Sequence, residues 1–112
     1  MELADLPVIK IETVTDGKYL VAEVVDGSNN SKIVMRAADY GVNHSKIAEA
    51  LKTEIGELKI ARYLGGGKIW MPRDEGSIYL FDASGNFGMD QDRQRTIAII
   101  QEALPNQKVS EL

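Results

Sequence analysis

One residue in this chain exchanges protons readily near neutral pH: His44, its only histidine. Asn43 precedes it as a helix cap, and Ile47, Leu51 and Ile55 follow at four-residue spacing. That pattern puts His44 and Ser45 in the first turn of a helix. Unpaired backbone N–H groups and the positive end of the helix dipole lie there, and together they attract an anion such as phosphate. The same field disfavours imidazolium and keeps the ring able to accept a proton. An anion site and a general base in one turn make a catalytic arrangement. A surface or capping histidine is the plainer reading of the same residue.

Two small-residue stretches add backbone donors. Gly65-Gly66-Gly67 lies between two strand-like runs, where glycines admit a bulge, a close backbone approach or a ligand. It is no P-loop, because neither a Lys-Ser/Thr pair nor a helix follows it. Ser84-Gly85-Asn86-Phe87-Gly88 offers amides of the kind that form anion-binding nests. Lys18, Arg36 and Lys68 stand at the edges of predicted strands. They are surface charges unless the fold gathers them near His44. The acidic residues form no DxDxDG loop. With no Cys and one His, disulfides, zinc ribbons, thiol catalysis and a His-rich metal cage are excluded; composition leaves a hard-ion carboxylate site open, but no metal or cofactor is expected.

The elements that must position these groups follow from periodicity. Residues 8–14 alternate and read as a strand. Asp16-Gly17 reads as a turn into a returning strand over 18–25, which would make an antiparallel hairpin. A third strand covers 31–36, a helix follows Asn43 and ends at Gly56, and strand character returns at 58–64. Gly65–Gly67 should interrupt that strand before 68–71 resumes it. Residues 77–81 form another strand, a second helix runs from about Asp90 to Leu104, and 108–112 could add a short edge strand. Strands dominate. The order predicts a single α+β domain, a mostly antiparallel mixed sheet of about six strands with two helices packed against it.

Composition sets the remaining limits. The 112 residues suit one domain with one core. Thirteen basic against seventeen acidic residues give 13 − 17 = −4, which with few aromatics argues against nucleic acid or an anionic membrane as partner. Met1 to Asp5 has no basic or apolar leader character, and no apolar run approaches a membrane span. A cytoplasmic monomer is expected.

Four stretches resemble the phosphohistidine phosphatase family, which includes the Janus and Ocnus proteins. They are Gly17-Lys18-Tyr19-Leu20-Val21; Ile33-Val34-Met35-Arg36 followed after seven residues by His44-Ser45-Lys46-Ile47; Leu64-Gly65-Gly66-Gly67-Lys68-Ile69; and Ser84-Gly85-Asn86-Phe87-Gly88. They run in the family's order, and the resemblance spans about Leu6 to Val109. It implies a metal-independent phosphatase acting on the P–N bond of phosphohistidine in protein substrates. His44 would be the catalytic base or transient nucleophile. Lys18, with Ser45 and the Ser84, Gly85 and Asn86 loop, would hold phosphate, and Arg36 and Lys68 match basic positions near the pocket. Asn43 replaces an aromatic residue common before the family's histidine, and Gly85-Asn86 is smaller at its first position than is familiar. Janus-type relatives also make a non-catalytic phosphoprotein-binding or regulatory module a competing expectation.

Overall fold

A computed structural model describes residues 1–112. After a short 3-10 turn at Leu3–Asp5 come β1 (Ile9–Glu12), β2 (Asp16–Val25), β3 (Ser31–Asp39), α1 (His44–Ile55), β4 (Lys59–Trp70), β5 (Ser77–Phe81), α2 (Arg93–Ala103) and β6 (Lys108–Glu111). The strands form one sheet in the order β1-β3-β2-β4-β5-β6. The β1–β3 and β5–β6 pairs are parallel and the other three antiparallel, so the α+β expectation of a mixed sheet holds.

Side-chain alternation assigns each helix to its own face. Tyr19, Val21, Met35, Ile69 and Leu80 point to the side covered by Ile100 of α2. Leu20, Ala22, Val24 and Val34 point to the other, where Ile47, Leu51 and Ile55 of α1 cover them. These three α1 residues are the fourfold-spaced set of the sequence, and all are buried.

Three expectations need correction. The first hairpin does not form: β1 pairs with β3 in parallel, and Asp16 and Gly17 already belong to β2. A tight Asp-Gly hairpin turn needs positive φ at both residues, and neither has it. Gly17 is small for another reason, since a Cβ there would overlap the Ala38 carbonyl of β3. The second correction concerns β4, which is continuous through the glycines with register shifts against β2. Third, α2 starts at Arg93 with Asp92 as its cap, so Asp90 lies outside the helix.

The glycines of β4 let other backbone come close. A Cβ on Gly65 would overlap the Met89 carbonyl, and one on Gly66 the Tyr19 carbonyl. Segment 88–91 uses that space: Gly66 N donates to Gly88 O at 3.1 Å, Asp90 N to Gly66 O at 3.1 Å and Gln91 N to Leu64 O at 2.9 Å. The Asp90 carboxylate, buried beneath, accepts from Tyr19 Oη at 2.9 Å and Thr96 Oγ1 at 2.6 Å. Arg93 Nε donates to the same Tyr19 oxygen at 3.1 Å. Burial and the Asp90 carboxylate push the Tyr19 phenol well up, so it stays a donor.

Gly65 has φ +91° as well as no room for a Cβ. Gly65→Ala should lose on the order of 3 kcal/mol of stability. Gly85→Ala meets only open space and should change it little. Chemical denaturation midpoints of the two variants check this contrast.

Candidate functional site

The amino end of α1 is built as the sequence implies. Asn43 is extended (φ −73°, ψ 163°), and its side chain accepts from Lys46 N at 3.0 Å. The N–H groups of His44 and Ser45 make no hydrogen bond within the protein. His44 begins the helix and is buried, 7% exposed.

Its ring orientation is set from β4. Nε2 lies 3.0 Å from the Gly67 carbonyl, an oxygen that can only accept. Nε2 therefore carries the hydrogen, and in the neutral ring Nδ1 carries the lone pair. Nδ1 has no protein partner and is not sealed from solvent. The histidine thus presents one free nitrogen beside unpaired helix amides.

The loop Ser84–Gly88 closes on this helix end. Ser84 and Gly88 form a two-way backbone bridge, with N–O distances of 3.1 and 3.0 Å. Gly88 O also receives Gly66 N, which ties the loop to β4. Phe87 packs on Tyr63 with ring centroids 4.7 Å apart, against the cluster of Leu20, Ile47 and Ala48. Asn86 Nδ2 donates to Ser45 Oγ at 2.6 Å, joining loop tip to helix. The buried Ser84 hydroxyl accepts from Phe87 N at 3.1 Å, so its work is loop shape. The Gly85 and Asn86 N–H groups have no acceptor in the protein.

The cations divide sharply. Lys18 of β2 and Lys68 of β4 are direct cross-strand partners on the α1 face of the sheet. Their ammonium groups stand 5.0 and 5.4 Å from the Tyr40 ring centroid. Lys68 is paired with Asp82 at 2.9 Å, and that hydrogen bond raises the lysine's pKa and lowers the aspartate's. Lys18 has no carboxylate partner. It is the uncommitted cation.

Arg36 does not join them. It lies buried between sheet and α1, gripping Glu54 in a two-pronged pair at 2.8 and 3.0 Å. Nη1 and Nη2 also donate to the Met35 and Pro7 carbonyls, at 2.8 and 2.9 Å. With every arm occupied, the expectation that Arg36 binds phosphate is replaced by a structural role. Only the family resemblance, which matches Arg36 to a basic position near the pocket, suggests otherwise.

Tyr40, Asp82 and the Gly67 carbonyl complete the surroundings; the glycine run marks Gly67 in the sequence, but no pattern singles out Tyr40 or Asp82. Register alone brings Tyr40 and Asp82 to the two lysines. A hollow of about 360 Å³ is bordered by Tyr40, Lys68, Asp16, Trp70 and Phe81, and His44 is not among its lining residues. A larger groove, about 650 Å³, lies on the opposite face between β1 and the end of α2, away from His44. The chain gathers no group of three or more His, Asp or Glu side chains that could hold a metal ion. No helix is long and apolar enough to cross a membrane.

The Arg36 hydrogen bond is the largest influence on Glu54 and holds its carboxyl below the ordinary value of 4.5, against a smaller upward push from burial. A value lower folded than unfolded means the pair's contribution is complete above the unfolded value and fades as pH falls through the folded one. Arg36→Met should cost about 3 kcal/mol at neutral pH by leaving a half-sequestered carboxylate unpaired. Glu54→Gln should weaken the loss of stability on acidification. Denaturation midpoints between pH 7 and pH 3 test both.

Comparison with known proteins adds a family. The chain's sequence matches no curated protein. The family model for the Janus/Ocnus family (Ocnus) matches residues 3–108. That match takes in β1 through the first residue of β6, and with it His44, both lysines and the Ser84–Gly88 loop. The chain belongs to the Janus/Ocnus family.

Proposed function

We propose that this protein is a metal-independent protein phosphohistidine phosphatase. The observation that carries the reading is the His44 ring, held through Nε2–H on the Gly67 carbonyl with Nδ1 free at the amino end of α1. Support comes from Lys18, the cation without a carboxylate partner, and from the unpaired N–H groups of His44, Ser45, Gly85 and Asn86.

In this reading the phosphoryl oxygens lie against those amides, with Lys18 opposing their charge. Such fixed donors cost no reorganisation as charge develops, which makes them the main catalytic contribution in phosphoryl transfer. Nδ1 takes a proton from water as its oxygen attacks phosphorus. The P–N bond breaks, its electron pair passes to the substrate imidazole nitrogen, and that nitrogen takes up a proton. His44 then releases its own proton to a product. Phosphate and histidine leave, with water consumed. Lys68, neutralised by Asp82, shapes the wall and keeps Lys18 company without adding a second free charge.

The test is phosphate release from a phosphohistidine peptide in a chelator-containing buffer. His44→Ala should lose about 10²–10⁴-fold in rate. Lys18→Ala should lose about tenfold or more, whereas Lys10→Ala, on exposed β1, should match wild type. Wild type no faster than His44→Ala would overturn the phosphatase reading, and retained phosphopeptide binding in that case would favour the binding-module alternative. Labelled phosphate trapped on His44 in single-turnover samples would assign it the nucleophile's part in place of the base's.

A further inference from the structure

The α1 face of the sheet extends beyond Lys18. Register sets Ala38, Lys18, Lys68 and Phe81 side by side across β3, β2, β4 and β5. One same-face step along the strands, Asp16, Trp70 and Tyr79 form a second row across β2, β4 and β5. Same-face residues are about 6.6 Å apart along a strand. The Trp70 and Tyr79 rings pack 5.4 Å apart, and Trp70 remains 38% exposed at the sheet's end. Asp16 is exposed, and its carboxylate has no cationic partner. The 360 Å³ hollow is lined by members of both rows, with Tyr40 at its side.

The two rows differ in chemistry. The first carries ammonium groups and suits a phosphoryl group. The second offers a free carboxylate and the faces of aromatic rings, which attract a cation. An acidic group there would face Asp16, and an apolar group would strip that carboxylate of water without replacing the lost interactions.

We infer that Asp16, Trp70 and Tyr79 form a subsite for a cationic side chain, arginine or lysine, lying two residues from the phosphohistidine of an extended substrate. The inference rests on the phosphatase reading given above. An extended peptide repeats its same-face side chains at the spacing of the sheet beneath it. With the phosphoryl group over Lys18, the side chain two positions away therefore reaches the second row. The rows together read a pair of opposite charges at fixed separation, so the surface selects sequence context as well as the phosphorylated residue.

Three phosphohistidine peptides test this, identical except for Arg, Ala or Glu at both positions two residues from the phosphohistidine. Wild type should show kcat/KM about tenfold higher for the Arg than for the Glu peptide, with Ala between, the sum expected of an exposed cation–π contact and an exposed ion pair. Asp16→Lys should bring the Arg-to-Glu ratio to one or below, and Trp70→Ala should reduce it. A ratio taken on one protein sample is independent of how much of that sample is folded. A wild-type ratio within about twofold of one, or a ratio unmoved by Asp16→Lys, overturns the subsite and leaves the phosphatase reading standing. No hydrolysis of any of the three overturns both.

Discussion

The candidate site depends on two chain segments lying closer than side chains would allow. At Gly65–Gly67 the middle of β4 has β2 on one side and segment 88–91 on the other, with carbonyls where Cβ atoms would stand. That approach brings the Ser84–Gly88 loop to the amino end of α1 through the shared Gly88 carbonyl. It also leaves the Gly67 carbonyl facing His44. One feature of backbone sterics therefore locates the loop, selects the histidine tautomer and frees Nδ1. The buried Tyr19–Asp90–Thr96 cluster secures the arrangement from the opposite face, and Arg93 of α2 reaches the Asp82 carbonyl beside Lys68.

Electrostatic commitment then separates residues that composition treats alike. Arg36, Lys18 and Lys68 are all basic and all on the central strands. Arg36 is used up fastening α1 to the sheet, and the Glu54 carboxyl beside it is held ionised. Lys68 is balanced by Asp82, whose own position depends on a left-handed backbone (φ 59°) and the Ala83 amide. Of the three, only Lys18 is left without a carboxylate, its ammonium lying over the Tyr40 ring that it shares with Lys68. A net charge of −4 conceals a local surface where one ammonium and several amide dipoles stand without an anion. Mean charge says little about such a site, because fields at contact distance are set by nearest neighbours.

Local signals were legible from the residues alone wherever the physics is local. Asn43 as cap, His44 in the first turn, the Ile47–Leu51–Ile55 stripe and Gly56 at the helix end all depend on groups within a few residues of each other. The Ser77–Phe81 strand and the final edge strand likewise follow from alternation and turn residues. What failed was partnership. Alternation marks a strand without naming its neighbour, so it suggests a β1–β2 hairpin where β1 adds to β3 instead. The glycines of β4 resembled an interruption because a sequence does not reveal that another segment's carbonyls occupy the missing Cβ positions. Asp90 looked like helix because its buried hydrogen-bond partner Tyr19 lies 71 residues away.

The site divides in the same way. The amino-acid order by itself determined the α+β class, the helix end and the placing of the sole imidazole within it, since caps and periodicity act through neighbouring bonds. Only the tertiary structure decided that Lys18 is free and Arg36 is not, that Gly67 orients the ring, and that Tyr40 and Asp82 border the lysines. These are contacts between strands and loops far apart in the chain, and each is fixed by sheet register. A one-residue slip of that register would turn Lys18 to the opposite face.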